Sequence, residues 1–221
     1  ASNPAFYQDD KQQVAIAVTE PKTGNVLAQV GSRNGGPATD LNRAVQTTRS
    51  SGSTIKPFLD YAPLIEFAGY SSNSIWQANQ TTYAGTNVVV RNYGGYTYGN
   101  VTTQFALKMS LNVPAVLALE TQQPWMNQVV MSRLSLQNHF MNSDGSMSEV
   151  STFGGSDALG INESVVDFAS AFSALANNGI HKTPNYLKTV EQSGTVTEIK
   201  PDEQVAMSPS TAYQLLSMLK T

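Results

Sequence analysis

Apolar residues near the start of the chain alternate with the period of a β-strand. Val14, Ile16 and Val18 are separated by alanines, so both faces of this segment are apolar. A strand of that kind is expected to be covered on both sides. The letters PKTG at residues 21–24, with a second apolar run after them, predict a hairpin over residues 14–31.

Six later segments place their apolar residues at the spacing of one helical face. They begin near residues 53, 101, 112, 124, 162 and 208. In the first segment Asp60 falls outside the apolar stripe, and Pro63 is expected to kink or end the helix. Asn162 is the predicted N-cap of the fifth helix. Residues 69–100 are predicted to form long loops with a short hairpin, and a further hairpin is predicted around Ser193.

This order of strands and helices is typical of the α+β class, and a chain of 221 residues is expected to form one domain. A two-stranded hairpin with two apolar faces is not a complete sheet, because its outer edges present unpaired N–H and C=O groups. We therefore expect the sheet to need more strands than residues 1–221 obviously provide.

Composition limits the kinds of chemistry that the chain can perform. Charged residues make up 13% and the net charge is -3, so no basic surface is expected for nucleic acid. The sequence has no cysteine, which excludes disulfides, thiolate nucleophiles and cysteine-ligated zinc. His139 and His181 stand apart without nearby carboxylate clusters and are predicted to be surface or loop residues. A histidine metal site or a Ser-His-Asp triad is therefore not expected, and oxygen nucleophiles and lysine remain.

Ser53 and Lys56 stand three residues apart at a predicted helix start. At this spacing two side chains share one face of a helix, and Pro57 places the serine at or before the first turn. The positive end of the helix dipole there favours an alkoxide-like oxygen and disfavours an ammonium. Burial would have to lower the lysine pKa toward about 7, at a cost of roughly 4 kcal/mol, before the amine could act as a base.

A structural explanation competes with this chemical one. A serine cap followed by a solvated lysine gives the same S-x-x-K pattern, which recurs at Ser217 and Lys220 inside the last predicted helix. Of three Ser-x-Asn triplets, two lie in polar segments and are predicted turns. The third, Ser110-Leu-Asn112, lies between two apolar helices, where a polar pair needs partners such as Lys56 or a substrate amide.

Together these residues resemble the transpeptidase domain of class A penicillin-binding proteins. The resemblance rests on Gly-Ser53-Thr-Ile-Lys56-Pro-Phe and on Ser110-Leu-Asn112-Val-Pro-Ala, and it extends over nearly the whole chain. It implies an antiparallel sheet sandwiched by helices, as in β-lactamases and transpeptidases. The third motif of the superfamily, a Lys-Thr-Gly strand, is absent from its expected place. Residues 22–24 have the same letters, but we predict a turn there with a positive φ at the glycine.

The missing motif shapes the expected domain organisation. Residues 1–221 are expected to be the N-terminal portion of a single transpeptidase domain whose third-motif strands are missing from the chain. A companion polypeptide is then expected to complete the domain. The resemblance also implies the extracytoplasmic face of the bacterial membrane as the location, with the anchor outside this chain.

The reaction implied by the resemblance is the cross-linking of peptidoglycan stem peptides through a serine acyl-enzyme. Ser53 would attack the carbonyl between two terminal D-alanines, and Lys56 would accept its proton. Ser110 would relay this proton to the departing D-alanine, while Asn112 would orient the lysine and bind the substrate amide. Penicillins would acylate the same serine, and no metal or organic cofactor is implied.

Other functions stay open at this point. A D,D-carboxypeptidase or a β-lactamase of the same superfamily would use water as the acceptor, and the motifs separate these enzymes poorly. The chain could also be a non-catalytic fragment that binds cell-wall peptide or a partner chain. Tyr93 and Tyr96 are candidates for lining the substrate groove, with packing inside their own loop as the alternative.

Overall fold

The computed structural model of the protein describes residues 7, 9, 11–35, 37, 40–144 and 146–220. Its α-helices are α1 (Ala62–Phe67), α2 (Thr103–Lys108), α3 (Asn112–Thr121), α4 (Pro124–Arg133), α5 (Val165–Ala176) and α6 (Pro209–Leu219). Its strands are β1 (Ile16–Thr19), β2 (Val26–Val30), β3 (Arg49–Ser50), β4 (Ile75–Gln77), β5 (Thr81–Thr82), β6 (Val89–Val90), β7 (Asn100–Thr102), β8 (Asn138–Met141), β9 (Met147–Val150), β10 (Asn162–Glu163), β11 (Ile180–Lys182), β12 (Thr189–Gln192), β13 (Thr195–Glu198) and β14 (Glu203–Val205).

Each of these strands pairs with one other strand, and every pair is antiparallel. The predicted hairpin of residues 14–31 is confirmed as β1–β2, and the one around Ser193 as β12–β13. Within residues 69–100 the short hairpin is β5–β6, while β4 pairs with β7 across that segment. Helices combined with small antiparallel sheets confirm the α+β class.

Helix α5 covers one face of the β1–β2 hairpin. Thr19 Oγ1 donates to the Ala169 carbonyl oxygen at 3.2 Å and lies 2.7 Å from Ser173 Oγ. Ile16 and Val18 point to the other face and are 42% and 45% exposed. The expectation that both faces are covered is therefore wrong for the described residues, because α5 packs against β1 from one side.

The segment between residues 52 and 67 runs through the middle of the core. It consists of a 3₁₀ turn (Gly52–Ile55), a π-helical turn (Pro57–Tyr61) and then α1. Pro63 falls in the first turn of α1, where its missing N–H is tolerated, so the predicted kink at this proline is replaced by a change of helix type before it. Asp60 lies inside the π-helical turn.

Asp60 is buried rather than placed on an outer helical face. All residues from 55 to 65 are buried, and Phe58 packs edge-on against Phe172 of α5 with ring centroids 4.7 Å apart. A helix surrounded by the core on every side leaves no solvent-facing stripe for a polar residue. The period of the apolar residues therefore predicted the helix but not the surroundings of Asp60.

Two expectations about later residues are wrong, the cap of α5 and the surface or loop position of His181. Ser164, not Asn162, caps α5, since its Oγ accepts the N–H three residues further on, while Asn162 lies in β10. His181 lies in β11 and is 2% exposed, whereas His139 lies in β8 with its side chain 18% exposed. His139 Nε2 also lies 3.3 Å from the Glu163 carboxylate, a neighbour remote in sequence.

Candidate active site

The 3₁₀ turn places Ser53 at the surface and leads directly to Lys56 in the interior. Gly52, before the serine, has φ of 52°, a conformation that glycine adopts without steric cost. The Lys56 N–H donates to the Ser53 carbonyl oxygen and so closes this turn. Ser53 is exposed while Lys56 is completely buried. The serine therefore stands at the N-terminal end of a helical segment, where the helix dipole favours a negative oxygen.

The Lys56 amine ends among oxygens of residues 110–112. Nζ lies 2.7 Å from the Ser110 carbonyl oxygen, 3.3 Å from the Leu111 carbonyl oxygen and 2.9 Å from Asn112 Oδ1. Ser110 Oγ lies at 3.3 Å from the same nitrogen. The two carbonyls and the amide oxygen can only accept, so an ammonium group with three N–H donors satisfies all of them.

Ser110 adopts a backbone conformation that is uncommon for any residue but glycine. Its φ is 51°, in the short connection between α2 and α3. Such a conformation costs about 1–3 kcal/mol and is found mainly where the surrounding structure requires it, as at active sites. Here it accompanies the approach of both Ser110 oxygens to Lys56 Nζ.

Burial sets the protonation of the lysine. It lowers the pKa of Lys56 from 10.5 to about 8, while the negative charge of Asp60 acts in the opposite direction. At pH 7 about one amine in ten is then uncharged. This drop is smaller than the one that a pKa near 7 would need.

The structure does not join the serine and the lysine directly. Among the described residues, the Ser53 hydroxyl makes no hydrogen bond, and the Lys56 amine is engaged by residues 110–112 instead. Hydrogen bonds between catalytic groups commonly tighten only when substrate binds. The geometry thus brings together Lys56, Ser110 and Asn112, with Ser53 one helical turn away.

A loop that carries two exposed tyrosines is attached to the start of α3. Asn112 Nδ2 donates to the Arg91 carbonyl oxygen at 3.1 Å, and Asn92 Oδ1 accepts the Val113 N–H at 3.0 Å. Asn92 Nδ2 in turn donates to the Tyr96 carbonyl oxygen at 3.2 Å. The same asparagine therefore ties both ends of this short loop to the surroundings of the lysine.

Tyr93 and Tyr96 themselves point away from the core. They are 92% and 66% exposed, so the alternative that they pack within their own loop accounts for little of their surface. The ring of Tyr96 does lie over Gly94, where an added Cβ would come within 2.6 Å of it. The structure places these side chains on the loop joined to Asn112, open to solvent.

The sequence did not predict the contacts between the 3₁₀ turn that carries Ser53 and the segment that contains Gly160 and Ile161. The Ser51 N–H donates to the Ile161 carbonyl oxygen at 2.8 Å, and Ser51 Oγ accepts the Ile161 N–H at 3.1 Å. A Cβ on Gly160 would lie 2.8 Å from the Gly52 nitrogen, so the two backbones meet where no side chain fits. The one available signal was a glycine in the segment ALGINES, and its partner is about a hundred residues away in sequence.

The Lys-Thr-Gly at residues 22–24 is confirmed as a turn. Gly24 has φ of 74°, and its N–H donates to the Glu20 carbonyl oxygen at 2.9 Å. These residues connect β1 to β2 and form no strand of their own.

Comparison with known proteins gives the family. The family described as "Penicillin binding protein transpeptidase domain" matches residues 14–221. The chain belongs to this family. Penicillin-binding protein 1A of Streptococcus oralis is 34% identical over 226 residues, which cover 97% of this chain and 34% of that protein. Penicillin-binding protein 1A of Streptococcus pneumoniae is 35% identical over 226 residues, covering 97% of this chain and 30% of that protein.

The fold agrees with this assignment. The penicillin G acyl-enzyme of penicillin-binding protein A from Mycobacterium tuberculosis superposes with a TM-score of 0.76 at 21% identity, over 92% of this chain and 56% of that one. The transpeptidase likeness predicted from the sequence, and its class A character, are therefore confirmed. The chain spans about a third of the length of the curated relatives that it matches.

Two further observations concern metal ions and membranes. Across the described ranges, acidic and histidine side chains form no group of three that would hold a metal ion. Within the same ranges, none of the helices has both the length and the apolar character needed to cross a bilayer.

Proposed function

We propose that the chain carries the nucleophile, base and proton relay of a peptidoglycan D,D-transpeptidase, which cross-links stem peptides through a serine acyl-enzyme. The observation that supports this most is the buried Lys56 amine, hydrogen-bonded by Ser110 and Asn112 one helical turn from Ser53. A lysine that merely follows a serine cap needs no such burial. Ser217 and Lys220, which repeat the spacing on the exposed side of α6, have that ordinary environment.

In the proposed acylation step, Ser53 Oγ attacks the carbonyl carbon between the two terminal D-alanines of a stem peptide. Its proton passes to Lys56 Nζ, which must first be uncharged, and burial favours this form. Ser110 Oγ, 3.3 Å from Nζ, then takes this proton from the Lys56 ammonium and gives its own to the nitrogen of the departing D-alanine, so that Lys56 is uncharged again. An amine of a second stem peptide resolves the acyl-enzyme, which forms the cross-link and frees the serine.

The remaining groups bind and orient the substrate. The Ser53 N–H, at the N-terminal end of the helical segment, is suited to stabilise the developing oxyanion. Asn112 holds the lysine through Oδ1 and would also meet the substrate amide. We assign Tyr93 and Tyr96 to the wall of the groove, since they are exposed on the loop that Asn112 and Asn92 attach to the site.

Penicillins are expected to acylate Ser53 as well, because their strained amide is attacked as the D-alanine amide is. The solved penicillin G acyl-enzyme of the mycobacterial relative supports this expectation. Substrate and inhibitor both occur outside the cytoplasm, so we place the domain at the extracytoplasmic face of the bacterial membrane. No metal or organic cofactor enters the proposed steps.

The hairpin supports a further proposal, on domain organisation. We propose that residues 1–221 are the N-terminal portion of one transpeptidase domain, and that strands bearing the third motif pair with the outer edge of β1. Among the described residues β1 pairs with β2 alone, and the apolar side chains of Ile16, Val18 and Leu27 are exposed on it. An open edge beside an exposed apolar face is a surface that soluble proteins normally cover.

Mass spectrometry after treatment with a labelled penicillin tests the proposed nucleophile. We expect one adduct on Ser53, which the Ser53→Ala variant loses. The matched control is Ser217→Ala, which removes the serine of the second S-x-x-K sequence and should label like the wild type. Equal labelling of Ser53→Ala would contradict the assignment of the nucleophile.

The same labelling tests the organisation of the domain. The 221 residues alone should react slowly, whereas a polypeptide that also supplies the third-motif strands, in one chain or as a companion, should react at Ser53 at full rate. Full-rate labelling of the 221 residues alone would contradict the proposed need for further strands. A D,D-carboxypeptidase or β-lactamase would instead release hydrolysed product with no cross-linked peptide when an acceptor amine is present.

A further inference from the structure

A buried carboxyl group lies in the π-helical turn that follows the lysine. Asp60 follows Lys56 by four residues, and the π-helical turn carries it into the core, where its exposure is 0%. Both of its carboxyl oxygens lack a hydrogen-bond partner among the described residues. An ionised carboxylate in that position costs free energy unless a charge or a donor compensates it. A group of this kind calls for a specific explanation.

Two side chains near Asp60 also have a buried oxygen without a hydrogen-bond partner among the described residues. Tyr61 Oη and Gln122 Oε1 are likewise buried without a partner in the part of the chain that the structure describes. Gln122 is fixed there because its Nε2 donates to the carbonyl oxygens of Leu59 and Asp60, at 2.9 and 2.7 Å. Asp60 and Tyr61 thus belong to the π-helical turn that follows Lys56, and Gln122 is hydrogen-bonded to the backbone of that turn. Turns of the π type occur frequently at functional sites.

The two charges of this turn oppose each other's burial. Burial raises the pKa of Asp60 well above 3.8, and the positive charge of Lys56 acts against that rise. The charge of Asp60 in turn raises the pKa of Lys56 against the effect of burial. Burial also raises the pKa of Tyr61, and the charge of Asp60 adds to that rise. Helices α1, α3 and α4 pack against the turn, and α5 contacts it through Phe172. None of the charged groups on these helices contributes to the pKa of Lys56 or Asp60; they are Glu66, Glu120, Arg133 and Asp167.

We propose that Asp60 is a positioning residue that acts through Lys56 and decides in which pH range this amine is free to serve as the base. When Asp60 is ionised, the attraction between opposite charges keeps the proton on Nζ. When Asp60 is protonated, this attraction is absent and the amine gives up its proton more readily. The inference rests on the proposed role of Lys56 in acylation, but it concerns an equilibrium that is measured without substrate.

Carbon-13 NMR of the chain labelled at lysine Cε tests the inference. The resonance of Lys56 is assigned by its loss in Lys56→Arg, and its chemical shift is followed as a function of pH. In Asp60→Asn the carboxyl group is replaced by a neutral amide of the same shape, so the Lys56 pKa should fall by about one unit or more. This means roughly tenfold more uncharged amine at a given pH below the midpoint.

The matched control removes a carboxylate on another helix that packs against this turn. Glu120 lies on α3 and accepts the Ala84 N–H at 2.8 Å, so Glu120→Gln should leave the titration of Lys56 unchanged. A folded Asp60→Asn variant whose lysine titrates as in the wild type would overturn the inference. A shift of the same size in Glu120→Gln would overturn it as well, because the effect would not be specific to Asp60.

A second measurement applies if Asp60→Asn does not fold. In the wild-type chain labelled at aspartate Cγ, Asp60 and Lys56 should each show the other's titration, and two independent curves would refute their coupling. The outcome is separable from that of the proposed function. If the Lys56 pKa shifts in Asp60→Asn but no penicillin adduct forms on Ser53, the role of Asp60 is supported and the proposed acylation is rejected. If the adduct forms but the pKa does not shift, the proposed acylation is supported and the role of Asp60 is rejected.

Discussion

Replacing Gly160 by alanine tests whether the segment packed against Gly52 holds Ser53, the proposed nucleophile, in place. The added Cβ would lie 2.6 Å from Ser50 Oγ, 2.8 Å from the Gly52 nitrogen and 3.0 Å from the Gly52 Cα. A hydroxyl can rotate away from such a contact, but the Gly52 atoms are backbone and cannot. Gly160 also has φ of 147°, which residues with a side chain rarely adopt.

The expected cost follows from these distances. Strain and overpacking of this kind cost roughly 1–3 kcal/mol, part of which the chain relieves by displacing Gly52. Since about 1 kcal/mol lowers Tm by about 2–4 °C in a chain of this size, Tm should fall by roughly 2–12 °C. The displaced backbone belongs to the residue before Ser53, and an error of about 1 Å in position reduces a reaction rate by up to about 100-fold.

The assay compares the rate at which a labelled penicillin acylates the wild type and Gly160→Ala. Both are made as the polypeptide that also supplies the third-motif strands, and the penicillin is saturating. The temperature is kept well below the Tm of either protein. Gly69→Ala is the matched control, because Gly69 has φ of 72° and an added Cβ there meets nothing within 4 Å. It should lower stability without slowing acylation. The reasoning fails if Gly160→Ala reacts at the wild-type rate, or if Gly69→Ala slows the reaction equally.

Two other predictions use the titrating groups. The rate of acylation should rise with pH as Lys56 loses its proton, with a midpoint at a pKa of about 8, and a flat pH–rate profile would contradict its role as the base. Burial raises the pKa of Glu66, but hydrogen bonds from Thr211 and Ser208 at the start of α6 outweigh it and lower this pKa below 4.5. The ionised Glu66 therefore stabilises the folded protein above the usual carboxyl pKa. This stabilisation is lost as the pH falls through the lowered pKa that Glu66 has in the folded state. Glu66→Gln should lower Tm at pH 7 but not at strongly acidic pH, and equal differences in Tm at both would exclude this cause.

The helices of the fold could be predicted from the sequence because their signals are local. The six helical segments announced by apolar spacing are all present, and Ser208 followed by Pro209 begins α6 as a cap and a first-turn proline. The hairpins β1–β2 and β12–β13 follow from strand period and turn residues that lie side by side in sequence. By contrast β8–β9, with the sequences NHFM and MSEV, mixes polar and apolar residues without the alternation that would predict a strand.

In the candidate site, too, the residues with a local sequence signal could be predicted and the contacts between distant residues could not. Ser53 and Lys56 follow from spacing, and the polar pair Ser110 and Asn112 follows from its place between two apolar helices, although Ser110 is exposed and Asn112 half-buried. The burial of Asp60 did not follow, since a carboxylate outside an apolar stripe is normally solvated, and only the packed core encloses that side of the turn. Gly160 contacts Gly52 across more than a hundred residues, and no local pattern contains such a contact.

The asparagines that attach the tyrosine loop have a consequence for how reactivity can vary. Any change that moves the Arg91 carbonyl oxygen pulls on the Asn112 amide, whose other atom holds the Lys56 amine. If mutations between residues 93 and 98 displace this carbonyl oxygen, we expect the proton affinity of Lys56 to change as well as the contacts that Tyr93 and Tyr96 would make in the groove. Within the proposed function, sensitivity to a β-lactam would drift in such variants while Ser53 and its lysine stay the same.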